Sequence, residues 1–319
     1  MAMDKARIED GVSCIVPTFR RPEGLKLALE SLTRQNADGL AMEIIVADND
    51  PAGSAREFVT DFAKSAPVPV HYIHVPEPGV SNARNAALAR ARGRYLAFLD
   101  DDQEAGEGWL ETLLDITDRY GAALAFVPTI ARIPGQSKYD SYLKDFFSRM
   151  GPDLDQGVIP EYYGCGNSLL DTHRCTLPCP PFNTAMNETG GEDDVLFSQL
   201  QSQGICIAWS KQACAYEDIR PHRATPDYIK VRSFAFGQSP SQECADKSPR
   251  DYAGIVKWML IGTAQYSVYT PLKWLTRLIG HPSYIRYLAK ASEGRGKIFW
   301  WDSFKPRLYG AAVVENKAF

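Results

Sequence analysis

Three adjacent carboxylates, Asp100, Asp101 and Asp102, close an apolar run that starts after Gly93 and passes through Tyr95, Leu96, Ala97, Phe98 and Leu99. A run of that length bounded by glycine and acid reads as a buried strand. In an open α/β sheet, ligands bind beyond the carboxyl ends of the strands. Three like charges in a row repel unless water or a cation neutralises them. Alternate residues of an extended chain share a side, which predicts Asp100 and Asp102 together and Asp101 turned away. Two hard oxygen ligands at a strand end suit Mg²⁺ or Mn²⁺ carrying a phosphate. The competing reading is a solvated acidic turn; the buried strand in front of the cluster favours the cation. A second apolar run, 42–47, also ends in acid, at Asp48, Asn49 and Asp50. A third acidic group, Glu192, Asp193 and Asp194, follows two glycines and opens a helical pattern. Carboxylates in a first helical turn also serve as partners of the helix dipole. Gly164, Gly166 and Asn167 lie in a strand-like stretch, 163–170, where glycines let the backbone approach a ligand closely.

The elements that must carry these groups repeat regularly. Strands are expected to start near residues 12, 42, 68 and 94. Helices are expected between them: one from Pro22 with Leu25, Leu29 and Leu32 on its apolar face, one after Ser54 with Phe58, Val59 and Phe62, and one over 82–92 capped by Ser81 and stopped by Gly93. Repeated strand–helix units imply parallel strands joined by right-handed crossovers. A helix over 109–120, a fifth strand over 122–130, a helical stretch within 139–150 and a short strand over 205–209 follow. Neither Gly-x-Gly-x-x-Gly nor the phosphate-binding Gly-x-x-x-x-Gly-Lys-Ser/Thr loop follows the first strand.

The chain has 319 residues, 45% of them hydrophobic and 23% charged, enough for one large or two ordinary domains with a sizeable core. A net charge of −4 gives nucleic-acid binding no support. The seven cysteines complete no zinc pattern: Cys14 reads as core, and Cys175 and Cys179 lack a second pair. A reducing, cytoplasmic compartment is expected, and residues 1–10 lack the apolar core of a signal peptide. The tail changes character. Trp258, Ile261, Val268, Leu272, Leu275 and Ile279 follow a three–four spacing interrupted by Gln265, and Lys257, Lys273 and Arg277 make the segment a poor membrane span. Such a helix either lies in a membrane interface or forms a helical cap or dimer face.

The ordered set Pro17-Thr18-Phe19-Arg20, Val46-Ala47-Asp48-Asn49, Gly79-Val80-Ser81-Asn82-Ala83-Arg84, Phe98-Leu99-Asp100-Asp101-Asp102 and Gly190-Gly191-Glu192-Asp193 resembles the family 2 glycosyltransferases of the GT-A fold, above all the bacterial type that builds exopolysaccharide or other surface glycans. The resemblance covers roughly residues 11–240. It implies an α/β, Rossmann-like, mostly parallel sheet flanked by helices, with a catalytic domain over 1–250 and an amphipathic, aromatic-rich helical extension over 251–319. It also implies an inverting hexosyltransferase that uses a nucleotide-diphospho-sugar donor, most simply a UDP-sugar, with Mn²⁺ or Mg²⁺.

Carried over residue by residue, the resemblance places Pro17, Thr18 and Arg20 along the nucleotide pocket and Asp48 on the base. Arg84 would lie near the diphosphate, Asp100 would face the ribose, and Asp102 would ligate the metal with Asp100. Gly164, Gly166 and Asn167 would border donor sugar and acceptor. Asp193 would be the base, with Asp194 an alternative and Glu192 contacting acceptor or loop. His222 is a looser match to a metal-ligating histidine. The chemistry needs this minimum set: a metal-binding cluster for the departing diphosphate and a separate carboxylate to deprotonate the acceptor hydroxyl. The expected acceptor is a glycan or lipid-linked sugar, and the expected location is the cytoplasm, peripheral to the inner membrane through 251–319. A nucleotide-sugar-binding protein without transfer and a sugar nucleotidyltransferase are the alternatives. The second is disfavoured because Pro17 to Arg21 is not glycine-rich.

Overall fold

A computed structural model describes residues 8–306, apart from 38, 188 and 189. The described residues fall into two compact units, 8–131 with 148–218, and 132–147 with 219–306. The expected break at 250 thus falls inside the second unit, and 307–319 lie outside the described residues.

The first unit begins β1 (Ile8–Thr18), α1 (Pro22–Thr33), β2 (Met42–Asp48), α2 (Arg56–Ser65), β3 (Val70–His74), α3 (Val80–Arg90) and β4 (Gly93–Phe98). It continues through β5 (Gln103–Ala105), α4 (Trp109–Tyr120), β6 (Leu124–Phe126) and β7 (Thr129–Arg132). The second unit opens with α5 (Asp140–Phe147). The chain then returns to the first through β8 (Gln156–Val158), β9 (Ser168–Asp171), α6 (Glu192–Ser202), β10 (Ile207–Ser210) and β11 (Ala215–Asp218). α7 (Pro226–Asp246), α8 (Tyr252–Leu278) and α9 (Tyr284–Ile298) complete the second unit, packed on one another.

Among the described residues the main sheet has the order β3-β2-β1-β4-β9-β6-β10-β8. The first four strands are parallel, as the repeated units predict. β9 enters antiparallel between β4 and β6. The apolar stretch 122–130 is not one strand: it breaks at Val127 and Pro128, so β6 joins the main sheet and β7 a small sheet of order β5-β11-β7. Ser81 does not cap α3; it lies inside the helix, its N–H on Asn187 Oδ1 (3.0 Å) and its hydroxyl on the Asn183 carbonyl (3.0 Å).

Strand alternation decides what reaches each face. On β1 and β4, Cys14, Val16, Tyr95 and Ala97, with Leu99 just past β4, pack with the apolar faces of α1 and α4. Ile15, Leu96 and Phe98 pack on the other side with Ala83 and Ala87 of α3 and with Leu196, Phe197 and Leu200 of α6. Each fully buried Leu, Ile or Phe contributes about 1.5–3 kcal/mol. Small residues on the inner row of α3 bring it close to the sheet, and that same row carries Arg84.

Candidate active site

The three strand-end carboxylates part company beyond Phe98, where β4 ends. Asp100 meets α3: Arg84 donates Nη2 to its Oδ1 at 3.0 Å. Asp101 turns toward α1 and is enclosed. Its Oδ2 accepts Thr18 Oγ1 (2.9 Å) and the Phe19 N–H (3.1 Å), and its Oδ1 accepts Arg21 Nη1 (2.8 Å). A side chain at Gly24 would begin 2.3 Å from the Asp101 carbonyl, so only glycine lets α1 start here. Asp102 shares Arg21 with Asp101, at 2.6 Å, and its carbonyl accepts the Asp218 N–H of β11 (2.8 Å). The expected alternation, Asp100 with Asp102 and Asp101 apart, therefore fails: residues 101 and 102 form a turn, and the strand period no longer applies. Burial pushes the Asp101 carboxyl above the usual range, with Arg21 opposing and Asp102 adding to it.

Arg84 ties this cluster to the third acidic group. It is buried, and besides Asp100 it holds Glu192 Oε1 at 2.5 Å; its guanidinium lies 5.5 Å from the Phe182 ring centroid. Its Nε is buried without a hydrogen-bond partner. Burial raises the Glu192 carboxyl pKa; Arg84 pulls the other way and Asp193 adds to the rise. Glu192 therefore orients the start of α6 rather than facing outward. Asp193 beside it is half-buried, and two backbone N–H groups fix its carboxylate: Cys165 N to Oδ2 at 3.0 Å and Asp194 N to Oδ1 at 3.1 Å. Asp194 is exposed.

The glycine stretch joins the two. Gly164 lies against Asp193 Oδ2, and at Gly166 a Cβ would stand 2.0 Å from Asp100 Oδ2. Any side chain at 166 would evict Asp100. One loop thus touches the strand-end carboxylate with one glycine and the helix-start carboxylate with the other. Asn167 faces inward instead. Its amide donates to the Val127 and Pro128 carbonyls and to Thr129 Oγ1, and its carbonyl accepts Trp109 Nε1 at 2.6 Å. Held at φ 113° and 3% exposed, it fixes the loop's entry.

Asp48 is likewise enclosed. Its carboxylate accepts the Asp50 and Ala55 N–H groups (3.0 and 2.9 Å) and the Tyr72 hydroxyl (3.0 Å), and it is 0% exposed. These bonds make Asp48 the closure of the β2–α2 turn. Burial, followed by Asp48, pushes the Tyr72 hydroxyl up to about 12. Pro17 and Thr18 are buried, whereas Arg20 is exposed at φ 52° and pairs with Asp50 at 3.1 Å. His222 is an exposed residue of the second unit.

Two functional positions were not singled out from sequence. Arg21 bridges Asp101 and Asp102; its signal was the arginine pair at the end of β1. Cys165 supplies its backbone N–H to Asp193, a role no side-chain motif reveals.

Among the described residues no three His, Cys, Asp or Glu side chains gather as a ready-made cation cage. Asp100 and Asp102 still fit a hard divalent ion, because Mg²⁺ is ordinarily held by one or two carboxylates with substrate phosphates and water completing the shell.

Residues 13–171 match the profile of the family described as Glycosyl transferase family 2. The succinoglycan biosynthesis protein ExoM of Rhizobium meliloti (strain 1021) is 34% identical over 234 residues, 73% of this chain and 75% of ExoM. Two solved structures share the fold. S. aureus TarS 1–349 in complex with UDP-GlcNAc gives a TM-score of 0.50 at 13% identity over 90% of both chains. GalNAc-T7 with UDP, GalNAc and Mn²⁺ gives 0.51 at 12% identity, over 75% of this chain and 51% of that one. The described chain has the GT-A architecture that the ordered motifs implied, and it belongs to glycosyltransferase family 2.

Proposed function

We propose that this chain transfers a sugar, with inversion, from a UDP-sugar to a hydroxyl of a glycan or lipid-linked acceptor in bacterial polysaccharide synthesis at the cytoplasmic side. The observation that carries the reading is the pairing of two separate carboxylates, Asp100 of the strand-end cluster and Asp193, through Arg84, Glu192 and the 164–166 loop. ExoM, named for succinoglycan biosynthesis, supports the pathway class. TarS with UDP-GlcNAc and GalNAc-T7 with UDP and Mn²⁺ support the donor and the ion.

In this reading Asp102 and Asp100 hold Mn²⁺ or Mg²⁺, which when bound supplies Lewis-acid stabilisation of the diphosphate worth several kcal/mol. Arg20 and Arg21 add positive charge where the nucleotide phosphates sit. Arg84 positions Asp100 and Glu192. Asp193 takes the acceptor proton on the face of the sugar opposite the diphosphate, a contribution of about 10²–10⁴ in rate. Gly164 and Gly166 leave room for the sugar between the two carboxylates. Asp194 is exposed and outside this set.

The test is UDP release from a panel of UDP-sugars with and without Mn²⁺, with the anomeric configuration of the product read by NMR. Asp193→Asn is expected to cut turnover while leaving UDP binding intact. A fully active Asp193→Asn, or a product of retained configuration, overturns the assignment.

A further inference from the structure

The helix α8 has two unequal faces. Its inner face, with Ile255, Gly262 and Thr276 buried, packs on α9. Gln265, which interrupts the apolar pattern in sequence, is used there: its Nε2 donates to the Lys290 carbonyl at 2.9 Å and to Glu293 Oε2 at 3.1 Å. The outer face has no cover among the described residues. Val256, Leu260, Val268, Trp274, Leu275 and Leu278 are between 52% and 83% exposed. Single exposed apolar residues are ordinary on a surface, but six large ones, each more than half exposed and spread from one end to the other of a 27-residue helix, mark an interaction face.

Charge says what kind of partner. Tyr252–Leu278 contains no Asp or Glu, yet Lys257, Lys273 and Arg277 stand along it. Lys257 lies 5.8 Å from the Trp258 ring centroid, and Lys273 and Arg277 lie 5.2 and 5.5 Å from that of Trp274. Aromatic rings beside cations are the side chains that settle at the headgroup level of a bilayer, with long basic stems reaching the phosphates. Burial lowers the Lys273 pKa, and the neighbouring charges that lower it further are all cationic: Lys230, Arg277 and Arg295. A second copy of this face would bring the same cations and no acid. No described helix is long and apolar enough to cross a membrane.

We propose that the outer face of α8 lies in the interface of an anionic lipid bilayer, its apolar residues at the boundary of headgroups and acyl chains and the exposed Lys257 and Arg277 on the lipid phosphates. The face is independent of the transfer chemistry, so transfer to a soluble acceptor stays unchanged when it is altered.

The experiment is sedimentation of the full chain with phosphatidylcholine vesicles, with and without a one-third share of phosphatidylglycerol. The expected result is binding to the anionic vesicles that weakens with salt. Neutralising Lys257 and Arg277 to Gln should lower it about 25-fold, near fivefold per cation. Leu260→Glu with Leu278→Glu should abolish it; both positions are exposed, and circular dichroism confirms that the helix is retained. Light scattering on the same proteins reads oligomeric state. Failure to bind anionic vesicles overturns the proposal, and so does equal binding by both variants. A dimer that the leucine variant dissolves, without vesicle binding, assigns the face to a second copy and overturns it as well.

Discussion

Asp48 to Asp50 at the end of β2 and Asp100 to Asp102 at the end of β4 are two acidic clusters at the same edge of one parallel sheet. At β2, Asp48 and Asp50 are enclosed; Asp48 takes two of its three donors from backbone N–H groups of its own turn, at residues 50 and 55, and Asp50 takes the Ala52 N–H together with Arg20. At β4 only the middle residue is enclosed. Asp100 and Asp102 keep 33% and 13% of their side-chain surface, and their partners are the arginines Arg84 and Arg21. Backbone donors cannot leave, so a carboxylate saturated by them is part of the turn. Arginine partners leave lone pairs for a cation and supply positive charge for a phosphate. At these two strand ends, remaining exposure separates the enclosed acids from those open to a ligand, and residue type alone does not.

The contrast can be broken in order of effect. Asp193→Asn should lose about 10²–10⁴ in turnover at unchanged melting temperature, the signature of a base and not of a fold element. Arg84→Ala should cost about 3–5 kcal/mol of unfolding free energy, because it strands the buried Glu192 charge; chemical denaturation reads it. Arg84→Lys cannot reach both carboxylates in a fork and should recover only part. Asp48→Asn should cost about 1–3 kcal/mol by unsettling buried donors. Gly166→Ala should cost about 1–3 kcal/mol by overpacking and reduce transfer as an Asp100 variant does, because the new Cβ takes the place of Asp100.

The smallest effect is one of pH. Burial would raise the Asp50 pKa, but Arg20, Ser54 and the Ala52 N–H outweigh it and hold the carboxyl below its ordinary value. The unfolded chain then binds the proton first as pH falls. The stabilisation is present above the ordinary carboxylate range and is lost as pH drops through the folded value. Urea midpoints of the wild type should therefore fall below about pH 4 more steeply than those of Asp50→Asn; parallel curves would contradict the pairing with Arg20.

The sheet was legible because its signals are local. The apolar runs of β1, β2 and β4 and the 109–120 helix follow from burial and period alone, and α4 occupies those residues. The order of motifs placed Asp100, Arg84, Glu192 and Asp193, which the structure brings together through Arg84 and Cys165, and Asp102, which Arg21 ties to Asp101. What the sequence hid depends on chain reversal. The period-two argument failed at Asp101 and Asp102 because a turn begins there, and the inward rotation of Asn167 depends on Trp109 and Thr129, far away in sequence. The insertion of β9 between β4 and β6 is a long-range pairing with no local signature.

The central claim is that the β4 cluster receives the nucleotide diphosphate and the β2 cluster does not. Thermal melts with UDP and Mn²⁺ test it directly, since a ligand that binds only the folded state raises the melting temperature. The account predicts that wild type gains stability with UDP and Mn²⁺ together. Asp102→Asn should melt near the wild-type temperature but gain nothing from them. Asp48→Asn should melt lower and keep the full gain. An Asp48→Asn protein that melts like wild type and loses the gain, with Asp102→Asn retaining it, would contradict the account.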